Sequence, residues 1–339
     1  MEDLRHQVKA SRLLAVYLVL PLSAAVIAAD HVFLHGAIRD WLPVRPEVWV
    51  VWSMIFGMPH VFGSLHAFAD KGYIKHYGAR KILAFSGGIA LATVALYLEN
   101  PKLLFFVFLV SIVHHTIAQQ TGLAMMLLRT GPRLAYRVWK WSMAASGMAM
   151  YYILYQMPII ELRYPLADTL RVAGPFPYML EAMYGLYGLS VVSGLILLWQ
   201  ASKERKLPAV TIWYALATIA MGGFFLMSMQ LRYYAFVVIL GRLIHEGSAW
   251  FIYLSHDANR QRQSASNAIY NALRFTRLPV PVLSLAMAYS IGMLVDLWSR
   301  EGAAVAYVFT VAMSLLNYHM ESVIWKGTRI HRQYVQFAT

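Results

Sequence analysis

Apolar residues in this chain do not alternate with polar ones at the period of a strand, nor do they form a narrow stripe. They run on for about twenty positions at a time and are parted by short basic or proline-bearing links. Wound as a helix, about 20 apolar residues match the ~30 Å hydrocarbon thickness of a bilayer. The pattern predicts ten such spans, over residues 13–35, 47–69, 80–98, 103–128, 136–157, 178–200, 208–230, 233–256, 281–298 and 303–325. Pro101, Pro132, Pro208 and Pro281 stand near helix starts, where the missing N–H removes no bond. The first apolar run is long for a cleaved leader and lacks a small-residue cleavage site, so it reads as a retained helix. No internal repeat or low-complexity run interrupts the series. The expected fold is all-α: a polytopic integral-membrane helix bundle forming one transmembrane domain over residues 1–339.

Composition agrees. Of 339 residues, 59% are hydrophobic and only 13% charged, more apolar surface than a soluble domain of this length needs. The net charge of +13 acquires meaning from its placement. With an even number of spans the termini share a side, and the segments of that side hold 21 of the 29 Lys and Arg residues. The opposite side holds seven, and Arg242 lies within a span. Such an excess marks the cytoplasmic side, so both termini are expected in the cytoplasm of a cell with the chain in a bacterial inner or plasma membrane. The basic charge then faces anionic lipid, and nucleic acid is not an expected partner. The external stretch Pro158–Pro177 would cap the bundle, while Ser264–Arg277 has the look of an interfacial amphipathic helix. The absence of cysteine excludes disulfides, thiolate metal sites, iron–sulfur clusters and covalently attached haem.

Candidate chemistry resides in the histidines. Of twelve, His6, His76 and His331 fall in cytoplasmic segments and are expected to be solvated or at the lipid headgroups, and His31 and His35 to anchor at the interface. The other seven, His60, His66, His114, His115, His245, His256 and His319, all lie on the second, fourth, eighth and tenth spans, which run in one direction. Ionisable groups at membrane depth cost roughly 2.5–3.5 kcal/mol each on insertion scales and so mark function. His60, His114, His115 and His245 share a level near the midplane, and His66, His256 and His319 lie deeper. On a straight helix His60 and His66 are about 240° and ~9 Å apart, and His245 and His256 share a face at ~16.5 Å. His114 and His115 diverge by about 100°, whereas His115 aligns with Gln119. A centre must therefore be assembled from several helices.

The upper candidate set is His60, His115 or His114, and His245, with Glu246 as a ligand or proton carrier and Gln119 or Gln120 beside it. The lower is His66, His256, His319 and Glu321, near Asp70 and Asp257. Arg242 is placed to pair with Glu246 one turn on, and Gln119, Asp257 and Glu321 to orient ligand rings. Imidazole suits iron, copper or zinc, and its mixture with carboxylate leans toward non-haem iron. Such a centre fits O₂ activation against an apolar lipid or isoprenoid that enters from the bilayer, with a redox donor as a further partner. Glu246 or Glu321 would move protons or supply a ligand.

Gly57-Met58-Pro59-His60, followed by His114-His115 and later by His245, resembles the Brp/Blh-type membrane carotenoid-cleaving dioxygenases. That resemblance implies a polytopic helical fold and one iron on four histidines, with His60, His115 and His245 among them; it leaves the fourth open, and His319 is our choice. The chain departs from the family's pattern at His115-Thr116, where a His-Phe is expected, and at Ala249, where a partner of His245 would stand. It is similar in general style to other histidine-rich membrane iron oxygenases but lacks their closely spaced boxes. Two further readings follow from the same residues. One is a protein of electron transfer with haem b or copper, which the adjacent His114-His115 would suit. The other is an ion- or proton-coupled transporter using Arg242 and Glu246 as a relay.

Overall fold

A computed structural model describes residues 6–43, 57–131, 133–156, 178–300, 304–325 and 329–338. The start of the second expected span and the stretch Pro158–Pro177 lie outside the described residues. The described chain is all-α apart from one short two-stranded ladder. Its helices are α1 (Ala10–Val16), α2 (Val19–Phe33), α3 (Ala37–Trp41), α4 (Met58–Leu65), α5 (Lys71–Tyr77), α6 (Ala79–Glu99) and α7 (Pro101–Leu127). There follow α8 (Leu134–Gln156), α9 (Met179–Glu204), α10 (Ala209–Gln230), α11 (Tyr234–Ser264), α12 (Ala268–Ala272), α13 (Val280–Arg300) and α14 (Ala304–Ile324). The strands β1 (Gln7–Lys9) and β2 (Gln336–Ala338) pair, so the two ends of the chain meet. Asn259 reinforces the meeting: its amide donates to the backbone oxygens of His6 and Tyr334, both at 2.9 Å.

Six described helices are long and apolar enough to cross a membrane: α1–α2 taken together, α6, the Leu103–Leu127 part of α7, α9, α10 and α11. A seventh arises if Ala268–Thr276 and Val280–Val295, bent by 104°, form one broken span. The protein thus has the helices of an integral membrane protein. Helix α6 makes the physical case plainly, since it buries only Thr93 and leaves Leu83, Leu91 and Leu98 more than two-thirds exposed. A leucine face of that kind has no reason to exist in water, whereas lipid solvates it.

The chain divides into two compact units, and the dividing point falls inside α11, between His245 and Glu246. The first comprises Met1–Val8, Trp49–Leu104 and Glu246–Ala338. Within it α13 packs along α4, and α14 packs against α6 and α4. The approach of α13 to α4 requires Gly292, because a Cβ there would lie 2.5 Å from the backbone nitrogen of Pro59. The expected 47–69 span is not one helix through its second half: α4 ends at Leu65, and His66–Ala69 form a 3₁₀ turn before Asp70. Asp70 caps α5, its carboxylate accepting the N–H groups of Gly72 (2.7 Å) and Tyr73 (3.2 Å). The expected interfacial helix is a short capped turn, α12 with Asn267 as N-cap, continued by a 3₁₀ turn.

The second unit comprises Lys9–Val48 and Phe105–His245. Its largest packing surface joins α8 to α9, around the fully buried Trp139, Met183 and Leu197. Polar side chains tie its helices across a greasy interior. Gln120 Oε1 accepts from Tyr17 and Tyr214 (both 3.0 Å), and Asp30 accepts from Tyr233 (2.7 Å) and from the first N–H groups of α3. Each such bond is worth about 0.6–2 kcal/mol in a membrane.

Candidate metal centre

Gln119 and Gln120 stand on α7 one turn beyond His115, and both reach the backbone of α11 at the level of His245. Gln119 Nε2 donates to the His245 carbonyl at 3.2 Å and Gln120 Nε2 to that of Ile244 at 3.5 Å. These bonds set the register of α7 against α11, and the His115 and His245 rings meet edge to face with centroids 4.8 Å apart. Arg242, half-buried a turn earlier on α11, lies within electrostatic reach of His115.

His60 owes its place to the start of α4. Gly57 has φ +91° and ψ −103°, a backbone conformation that only glycine adopts readily, and its N–H donates to Glu246 Oε1 at 2.9 Å. Pro59 then fixes the first turn, and His60 follows, buried. Tyr253 lies with its hydroxyl 3.4 Å from His60 Nε2 and donates a hydrogen bond to Glu321, whose carboxylate is 3.8 Å from the same nitrogen. Ser64 bonds to Asn317 one turn away on the same two helices.

His60, His115 and His245 form one buried group: a ring nitrogen from each lies within 4.8 Å of the other two. This is the only such group of His, Asp and Glu among the described residues. No protein-family model, curated protein or solved structure matches the chain.

The remaining expected residues are distributed differently. His114 turns from its neighbour and stacks on Trp141, centroids 4.9 Å apart. His319, expected as a fourth ligand, is exposed and packs on Phe85 at 4.2 Å. Glu321, grouped with the lower histidines in the sequence reading, faces His60 and Tyr253 instead. His66 is buried edge-on to Tyr270, and both its ring nitrogens lack a hydrogen-bond partner among the described residues. His256 has both nitrogens engaged, Nδ1 with Asp257 (2.9 Å) and Nε2 with the Tyr73 hydroxyl (2.8 Å). Asp257 therefore orients the His256 ring. It also accepts from Tyr270 and from Ser284 at 3.1 Å, both on its other carboxylate oxygen.

A second aromatic and histidine cluster surrounds that ring. His331, expected in solvent or at the lipid headgroups, is fully buried and stacks on Tyr73 at 3.7 Å and on His256 at 5.3 Å. Burial, with the nearby His256 adding to it, holds the His331 imidazole well below its ordinary titration range. Arg260 closes the cluster, bonded to Asp70 at 2.8 Å and lying over the rings of Tyr73 and Tyr334. Burial alone would raise the Asp70 carboxyl, but bonds from Arg260 and Ser266 and the guanidinium charge hold it below the usual range. Among 21 tyrosines the sequence does not set Tyr253 or Tyr73 apart. The available signal was the i,i+7 spacing of Glu246 and Tyr253, which puts both on one face of α11.

Proposed function

We propose that the chain is an integral-membrane oxygenase that uses one non-haem iron against an apolar lipid or isoprenoid. The observation that carries this reading is the buried convergence of His60, His115 and His245. Two nitrogens bound at about 2.1 Å to one ion stand at most about 4.2 Å apart. A group already within 4.8 Å closes on an ion by small side-chain movements. Three imidazoles suit zinc, copper or iron, and the Glu321 carboxylate beside His60 supplies the oxygen donor that favours iron. A haem takes at most two axial side chains, so the third imidazole argues for a bare ion.

When bound, iron supplies a site where O₂ and substrate react. The chain's own residues do the rest. His60, His115 and His245 hold the ion; Gln119 and Gln120 keep two of them in register. Glu321 and Tyr253 hold a proton next to His60, and Glu246 is tied to Gly57, the residue that starts the His60 helix. All three imidazoles are buried, so bulk water is kept away and the bilayer is the natural source of an apolar substrate. Ten spans with both termini cytoplasmic belong to the same proposal, supported by the bias of basic residues and by the pairing of β1 with β2, which requires the ends to share a side.

The test is metal content and an absorption spectrum of detergent-purified protein, alongside His60→Ala, His115→Ala and His245→Ala. Near-stoichiometric iron without a Soret band, lost in each variant, is expected, followed by O₂ uptake when lipids or carotenoids are supplied. Folded wild-type protein that takes up no metal would overturn the reading, and a Soret band would move it to haem.

A further inference from the structure

From His60 a continuous file of oxidisable and stacked rings leads away through the first unit. Tyr253 lies 5.4 Å from His60, centroid to centroid, and Trp325 stacks 6.3 Å beyond Tyr253. His256 meets Trp325 edge-on at 5.5 Å, and Tyr73 stacks on His256 at 5.8 Å. His331 carries the stack from Tyr73 to the half-buried Tyr77 at 5.7 Å. Packing alone accounts for aromatic contacts. It does not account for what the two inner phenols, Tyr253 and Tyr73, have in common: each has its hydroxyl on a base. Tyr253 donates to Glu321, and Tyr73 to His256 Nε2, whose other nitrogen is held by Asp257. A phenol loses an electron at an accessible potential only if its proton has somewhere to go. The Asp257 contact fixes the tautomer with the proton on Nδ1, leaving Nε2 to accept. Burial raises the Tyr73 phenol above the ordinary tyrosine range, so at rest it carries its proton.

We infer that Tyr73, Trp325 and Tyr253 form an electron conduit between the proposed metal centre and the face of the protein that carries Tyr77, with Tyr73 as a redox-active residue. The inference rests on the proposed function for its inner end, where dioxygen is the terminal oxidant. In the step at Tyr73, one electron leaves the ring toward Trp325 and Tyr253 while the phenolic proton moves to His256 Nε2. A one-electron donor at the Tyr77 face then returns an electron, and the proton goes back to the phenolic oxygen. Atoms are conserved and no bond to carbon changes.

The experiment needs no metal. The chain has no cysteine, so Lys75→Cys at an exposed position of α5 accepts a single ruthenium photosensitiser. Iron-free, detergent-purified protein is flash-oxidised with a sacrificial quencher and frozen for electron paramagnetic resonance. Two tyrosyl signals are expected; Tyr73→Phe, which cuts the file at its outer end, should remove both, and Tyr253→Phe only the inner one. Trp325→Phe, which keeps the ring but not its ease of oxidation, should remove the Tyr253 signal and spare that of Tyr73. Tyr270→Phe, which removes an equally buried phenol bonded to Asp257, should change neither. Absence of a tyrosyl radical in the unsubstituted background, or signals indifferent to Tyr73→Phe and Trp325→Phe, would overturn the conduit. Iron binding is measured separately, so loss of the metal reading and loss of the conduit give different results.

Discussion

His115 and His245 differ from His114 and His319 in what their rings touch, and that difference predicts which substitutions matter. His114→Ala and His319→Ala remove rings that lie on Trp141 and Phe85, and both variants should keep the iron content of the parent. Glu321→Gln keeps the shape but not the charge beside His60 and should weaken iron binding about 10- to 100-fold, as loss of a supporting partner does. Iron titrations of the three variants check the assignment; loss of iron in His319→Ala would contradict it. From sequence alone these histidines could be named as candidates, but their faces could not be chosen. Residues two apart on a helix point about 200° away from each other, so His319 and Glu321 cannot both look inward. The same arithmetic at about 100° separates His114 from His115. Which member of each pair turned inward depended on contacts from Gln119, Gln120 and Tyr253, and those are tertiary.

Helices were legible where apolar length decides them. Predicted spans 80–98, 178–200 and 208–230 correspond to α6, α9 and α10 within a few residues. They were less legible where backbone chemistry intervenes, as at the break after Leu65 that puts His66 on a 3₁₀ turn. The short α4 is also where packing is tightest. Gly292→Ala would drive a methyl against the Pro59 backbone, immediately before His60, with α13 displaced or α4 shifted. The expected cost is about 1–3 kcal/mol, the usual range for overpacking. Thermal denaturation should show that loss, and iron content should fall with it, although no ligand has been altered. A variant as stable and as iron-rich as the parent would show that α4 tolerates the displacement.

For the molecule as a whole, the cluster around Tyr73 predicts acid sensitivity. His331 is held neutral by burial, so the unfolded chain takes up a proton first as pH falls below about 6.5. Stability should then decline toward lower pH, by up to about 1.4 kcal/mol per pH unit from this group. Asp70 acts in the same direction at lower pH: its folded carboxyl is held below the ordinary range, so its contribution is full above about pH 4 and fades beneath it. His331→Phe keeps a stacked ring without the titration and should flatten the melting temperature between pH 6.5 and 5. An unchanged slope would assign the acid limb to other groups. Helix α11 runs unbroken for 31 residues, about 46 Å, and carries His245, Glu246, Tyr253, His256, Asp257 and Arg260 on a common screw. Those groups are therefore phased by rotation as much as by sequence. One alanine inserted after Ala249 would leave every side chain present yet turn Tyr253, His256 and Arg260 by about 100° from His245. Length in this helix is thus as strictly specified as chemistry, since an insertion that alters no existing residue would still part the groups that its rotation now phases.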